Sequence, residues 1–182
     1  MRLFIASDIH GSALFCAQLL EAFRREEAEK LLLLGDILYH GPRNDLPEGY
    51  APKEVIAMLN ACAPAVLGVR GNCEAEIDQV VLNFPMTAEY CLLFAGGRTV
   101  FATHGHVYSL SHLPPLHPGD ILLHGHTHVP ACEAAGPYMI LNPGSVSIPK
   151  NGTPRSYMTL EGEEFTWKTL DGETFNRYQA GR

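Results

Sequence analysis

The chain has 182 residues, 46% hydrophobic and only 18% charged, and a formal charge of -7. That balance excludes a disordered chain and suits one domain, residues 1–182, long enough to bury a core. The acidic sum lacks the basic footprint of a nucleic-acid binder, but it leaves a phosphate substrate open, because bound cations reverse a local field.

The first apolar run, residues 3–6, ends in Ser7-Asp8. It reads as a buried parallel strand that delivers polar groups at its carboxyl end. It meets an aspartate and a histidine too soon for a secretory signal, and no run approaches a membrane span, so no membrane partner is expected and the cytoplasm is the default location. Residues 12–25 follow with Leu14, Ala17, Leu20 and Phe23 at helical spacing and Ser12 placed to cap them. Residues 30–36, Lys-Leu-Leu-Leu-Leu-Gly-Asp, form a second apolar strand ending in Gly35-Asp36. Residues 39–52 are rich in Pro, Gly and Asn and read as a loop, and residues 53–62 as a helix with Val55, Ile56 and Leu59 on one face. A third strand, 65–69, runs into Arg70-Gly71-Asn72-Cys73-Glu74. This β-α-β-α-β order predicts helices on a largely parallel sheet, whose ligands collect at the carboxyl ends of the strands.

The second half is strand-rich, and two packed sheets are its expected outcome. Residues 90–95 and 99–103 flank Gly96-Gly97 as a hairpin, and the second of them ends at His104. Residues 120–123 lead into His124-Gly125-His126-Thr127-His128. Residues 131–135 and 138–141 flank Gly136-Pro137, and residues 155–160 and 164–170 flank Glu161-Gly162-Glu163 as further turns. The apolar residues Phe165, Trp167 and Leu170 are available either to the core or to a second copy in a homo-oligomer. The five cysteines are scattered, with no C-x-x-C pair. They read as reduced, mostly buried thiols rather than a zinc ribbon or a redox pair.

The ionisable residues carry the functional signal. Seven of the nine histidines lie between His104 and His128, and the best candidates stand directly after apolar runs. Buried strands rarely end in charged groups unless something pairs with them. In an extended segment, positions two apart share a face, so Asp8 and His10 can meet one metal. A carboxylate has two oxygens, so Asp36 can bridge two cations, with Gly35 clearing room for a ligand. Asn72 offers a neutral oxygen, and His126 and His128 project together as imidazole ligands. Singly, most of these read as ordinary turns. In the order D-x-H, GD, GN, H, GH-x-H, each after a predicted strand, they form a metal-site pattern.

That set resembles the calcineurin-like metallophosphoesterases over nearly the whole chain. Gly71-Asn72-Cys73-Glu74, Thr103-His104-Gly105-His106, Asn142-Pro143-Gly144-Ser145-Val146, and Gly41-Pro42-Arg43-Asn44 ahead of Leu46-Pro47-Glu48-Gly49-Tyr50 are similar to the small bacterial YfcE-like phosphodiesterases. The resemblance implies a four-layer αββα sandwich of two mixed β-sheets flanked by helices, with two divalent metals at one sheet edge. It implies that Asp8, His10 and His128 hold the first metal, that Asn72, His104 and His126 hold the second, and that Asp36 bridges them. A hydroxide between the metals would attack a small phosphodiester. Manganese is the expected metal, with zinc, iron, cobalt and nickel open on the same ligands.

Many relatives carry histidine where this chain has Cys73. A thiol donates weakly, so the leaving-group proton is expected from His106 or His40, or the substrate is expected to have a good leaving group. Cys73 itself is expected either to pack or to face the substrate. Arg43 and Asn44 are candidate phosphate contacts, with Arg43 able to bind bidentately. Asn142 and Ser145 are expected to shape a turn beside the site. A phosphomonoesterase or dinucleotide hydrolase would use the same motifs, and a non-catalytic scaffold shares the fold.

Overall fold

The computed structural model describes residues 1–181. The expected first half is present: strand β1 (Arg2–Ala6), helix α1 (Ala13–Arg25), β2 (Lys30–Leu33), α2 (Pro52–Ala61), a short 3-10 turn (Ala63–Ala65) and β3 (Val66–Gly68). β1 pairs parallel with β2, setting Leu3 against Lys30, and β2 pairs parallel with β3, setting Leu31 against Val66. Ser12 caps α1, its hydroxyl accepting from the Phe15 N–H at 3.3 Å, which satisfies one of the free donors of the first turn.

Half of the expected inward face of α1 is kept, at Leu20 and Phe23, and its first turns are rotated from it. Phe15, Cys16, Leu19, Leu20 and Phe23 are buried against the sheet, whereas Leu14 is 38% exposed and Ala17 half-buried. Residues 13–17 are apolar almost all round, so period alone does not fix which side faces the sheet. Glu27, just past the end of α1, has φ 50°, the left-handed conformation that glycine adopts without strain. Glu27→Gly is expected to raise stability by about 1 kcal/mol. Urea denaturation checks this, and a loss of stability would show that contacts of the Glu27 side chain outweigh its backbone strain.

A one-turn helix, α3 (Asp78–Val81), leads to the second half: β4 (Tyr90–Ala95), β5 (Arg98–Thr103), β6 (Ile121–His124), β7 (Ala131–Ala135), β8 (Tyr138–Asn142), β9 (Ser156–Glu161), β10 (Glu164–Thr169) and β11 (Thr174–Gln179). The strands form two mixed sheets. One runs β11-β10-β9-β1-β2-β3, the other β4-β5-β6-β8-β7. The hairpin β9–β10 therefore leaves the second half and joins the first sheet beside β1, with Leu3 opposite Leu160. β11 carries no sequence signal because nearly all of its residues are exposed, leaving no apolar alternation to read.

Between the sheets lies a core that includes Ile5, Leu32, Val100, Leu123, Phe165 and Trp167. Phe165, Trp167 and Leu170 are all buried, which removes them as an oligomer surface. Trp167 also donates its indole N–H to the Asn142 carbonyl at 2.7 Å, tying β10 to the end of β8. The outer face of the first sheet is covered by α1 and α2 through Phe4, Leu19, Leu33, Val55 and Leu59. The outer face of the second sheet, at Phe101, Leu122 and Ile140, is covered by Tyr108 and Leu116. Beside α1, the buried Glu26 accepts from Tyr157 at 2.7 Å and from Lys168 at 2.8 Å, with Arg2 at 3.8 Å. No helix of the described residues is long and apolar enough to cross a membrane. All five cysteines are free, and only Cys16 is fully buried, so the thiols are less buried than expected.

Candidate metal centre

The parallel strands of both sheets deliver their polar ends to one edge. Asp8 and His10 follow β1, Asp36 follows β2, Asn72 follows β3, His104 follows β5, and His126 and His128 follow β6. Among the described residues three overlapping groups result, Asp8/His10/His128, Asp36/His104/His126 and His10/Asp36/Cys73, each with its ligand atoms within 4.8 Å of one another. In the first, Asp8 Oδ1 lies 3.6 Å from His10 Nε2 and 3.4 Å from His128 Nε2. In the second, His104 Nε2 lies 3.1 Å from both His126 Nδ1 and Asn72 Oδ1. Asp36 Oδ2 stands between them, 3.6 Å from His10 Nε2 and 3.4 Å from His104 Nε2. The structure thus brings together all seven residues expected to bind metal.

The far side of each ring explains its orientation. His10, His104 and His128 place Nδ1 at 2.8, 2.7 and 2.7 Å from the backbone carbonyls of Tyr39, Leu34 and Ile148. Nδ1 donates to each carbonyl, which fixes the tautomer and leaves the Nε2 lone pair facing the centre. Asp36 is fixed likewise, its Oδ1 accepting from the Cys73 N–H at 2.9 Å.

These residues fit a metal. Asp8 Oδ1 is buried and has no hydrogen-bond partner. A bare carboxylate oxygen is costly to bury unless a cation meets it. Burial opposes charge on Asp8 and Asp36, yet the imidazoles standing beside them, His10 at Asp8 and His104 at Asp36, hold both carboxyls below their usual range. Burial also opposes charge on His104, but the hydrogen bond to Asp36, with the Asp8 and Asp36 charges, lifts the ring to about 9. A divalent cation bound there would take the place of that proton. Burial, then the His104 charge, lower His126 to about 4, so it stays neutral and able to ligate.

Backbone strain is concentrated here. Among the described residues, seven that are not glycine have positive φ, and five of them are Asp8, His10, Asp36, His126 and His128. Aspartate and histidine tolerate this region better than most residues, though still at a cost. The glycines allow the loops to meet. A β-carbon on Gly71 would collide with Asp36, and one on Gly125 with Ser7 Oγ. Gly35 differs from the expected role: its open side faces Gly71 and His104, so it serves loop contact rather than ligand approach.

Two braces hold roles that their motifs do not reveal. Glu74 is buried and accepts from the backbone N–H groups of Asp36, Ile37 and Gly71, locking the loop after β2 to the loop after β3. Burial, then the charge of Asp36, push it up to about 7. Ser147 donates to the Asp8 carbonyl at 3.1 Å, alongside Ser145 at 3.0 Å. Asn142 donates to the Gly125 carbonyl at 2.8 Å and accepts from the Gly144 N–H at 2.8 Å, the turn expected of it.

The centre opens into a cleft of about 880 Å³ lined by Tyr39, Arg43, Asn44, Cys73, Thr127 and Lys150, among others. Cys73 is half-buried and faces this cleft, and burial, then the Asp36 charge, push its thiol up to about 12. His106 is exposed, with its ring centroid 5.4 Å from that of His104. His40 departs from its expected place. Its ring packs edge-on against Tyr39 and Tyr50, at 4.7 and 5.4 Å, and it does not line the cleft. Lys150 lines the cleft without having been singled out, since a lone lysine after a proline carries no sequence signal.

Two sheets that aim histidines, carboxylates and an asparagine amide at one shared edge define a metallophosphoesterase. The chain belongs to the calcineurin-like phosphoesterase superfamily, whose domain matches residues 1–164. It is 48% identical over 174 residues to phosphodiesterase YfcE of Escherichia coli (strain K12), covering 96% of this chain and 95% of that one. It is 26% identical over 180 residues to the probable metallophosphoesterase YsnB of Bacillus subtilis (strain 168), covering 94% and 91%. The solved structure of the E. coli phosphoesterase YfcE matches with a TM-score of 0.94 at 44% identity over 100% of both chains.

Proposed function

We propose that this chain, as one catalytic domain, hydrolyses small phosphodiesters with two divalent ions, preferably manganese. The observation that carries this reading is Asp36 Oδ2 lying within 3.6 Å of both histidine groups, with the unpartnered Asp8 Oδ1 beside them. The name of the E. coli relative, phosphodiesterase YfcE, supports the diester. Asp8, His10 and His128 would hold one ion, Asn72, His104 and His126 the other, and Asp36 both. When bound, such a pair supplies hydroxide near neutral pH and neutralises charge on the phosphoryl oxygens. Arg43 and Asn44, on the cleft wall, orient the phosphate. No covalent intermediate with a side chain is required.

The test is hydrolysis of a chromogenic phosphodiester and its matching monoester by metal-stripped protein, with and without Mn²⁺. Diester turnover that appears only with metal and exceeds monoester turnover is expected. Metal-dependent preference for the monoester would reassign the substrate, and no turnover with any divalent metal would end the reading.

Cys73 sets a further expectation. A protonated thiol is a weak donor, so proton delivery to a poor leaving group falls to His106 or to solvent. Cys73→His should therefore narrow the rate gap between 4-nitrophenyl and simple alkyl diesters by about 10²-fold, the lower range of general-acid catalysis. An unchanged dependence on leaving-group pKa would show that the group at this position transfers no proton.

A further inference from the structure

Beyond the metal cleft lies a second depression of about 320 Å³, and its character is different. Tyr39, Tyr50, Pro52, Ile56, Ile77 and Val81 supply its walls, from the loop after β2, the start of α2 and the short α3. Ile77 is 64% exposed and Val81 39%, so the apolar groups face solvent rather than the core. Lys53 and Asp78 are the charged residues on it. Tyr39 lines both this groove and the metal cleft, and its backbone carbonyl takes the Nδ1 proton of His10. The side chain that walls the groove thus belongs to a residue anchored directly to the metal centre. Ala75 lines the cleft two residues before Ile77, so the chain from Cys73 to Ile77 runs from one depression into the other.

We infer that the groove is a subsite for an apolar arm of the substrate. The natural substrate is then a phosphoester in which one organic group is an alkyl chain or aromatic ring, lying over Tyr39 and against Ile77 and Val81 while the phosphate sits at the metals. This rests on the phosphoesterase reading of the cleft and narrows it to a substrate class. Burying methylene groups against such a surface strengthens binding with chain length, whereas a cleft open to water beyond the phosphate would be indifferent to it.

The test is isothermal titration of the Mn²⁺-loaded protein with methyl-, butyl- and octylphosphonate, each of which has a single organic arm. The Kd is expected to fall at least tenfold from methyl to octyl. Ile77→Ser, and separately Val81→Ser, should compress that span to about threefold or less. Both replaced side chains are solvent-facing, and circular dichroism verifies that the variants fold. A Kd independent of chain length, or a span that both variants leave intact, overturns the subsite. So does a variant that changes the oligomeric state in light scattering while leaving the Kd series untouched, which would give the groove to a second copy of the chain. Turnover of the chromogenic diester, measured on the same preparation, reports separately whether the catalytic reading stands.

Discussion

Asp36→Asn is expected to lower diester turnover by about 10³-fold, at the upper end of what removing one electrostatic stabiliser causes. The substitution is nearly isosteric, and asparagine tolerates the φ of 54° found there. The acceptor for the Cys73 N–H also survives, because the amide oxygen can stand where Oδ1 stands. What is lost is the negative charge and the second oxygen, the atom facing both His10 and His104. Metal content should fall with activity, by at least one ion per chain relative to the parent by mass spectrometry. Turnover within tenfold of the parent, at unchanged metal content, would mean that Asp36 is not shared between the ions and that the site works from one of them.

Glu26→Gln is expected to cost about 3 kcal/mol, because it strands Lys168 beside a neutral partner in a largely buried site. Glu26 is 6% exposed and accepts from Lys168 and Tyr157. Burial opposes its charge, but the hydrogen bonds from Lys168 and Tyr157 and the nearby Arg2 hold its carboxyl below the usual range. A depressed carboxyl pKa stabilises the fold at pH values above the unfolded pKa, about 4.3. That contribution drains away as pH falls through the folded value. The gap in melting temperature between the two proteins should therefore be full above about pH 5 and narrow as the solution is acidified. A gap that stays constant through that range would locate the cost in packing rather than in charge.

Much of the site could be read before the fold was known, and for a physical reason. A buried strand has no use for a charged residue at its end unless something meets it, so Asp8, Asp36, His104, His126 and His128 stood out against their apolar neighbours. The parallel β-α-β order then implied that the ends carrying Asp8, Asp36 and Asn72 lie on one edge, and the family resemblance added the histidines of the second half to it. The supports could not be read in the same way. The carbonyls of Leu34, Tyr39 and Ile148 that orient three of the rings are backbone atoms, and any residue type supplies one. Glu74 stood inside a recognised motif, but its task, joining two loops through three main-chain donors, depends on a meeting that only the fold creates. His40 shows the converse error. Its position in a polar loop suggested the cleft, while its aromatic neighbours Tyr39 and Tyr50 drew the ring into their packing. Helix α1 was found, with Leu20 and Phe23 inward as expected, but the face of its first turns was misplaced, because a helix that begins with apolar residues on every side has no unique inward face there.

The left-handed backbone at Asp8, His10, Asp36, His126 and His128 has a consequence for how this fold changes over evolutionary time. Each of these positions holds its conformation against a local preference worth at most about 1–2 kcal/mol, less for aspartate and histidine than for most residues. Glycine at any one of them would relax the chain and abolish a ligand in the same step. Selection for turnover is therefore what keeps the edge from softening. In a descendant recruited for another task, glycine at one of these positions would give back as relaxed backbone part of what it loses in hydrogen bonds, such as those that Asp8 and Asp36 accept from the His126 and Cys73 N–H groups.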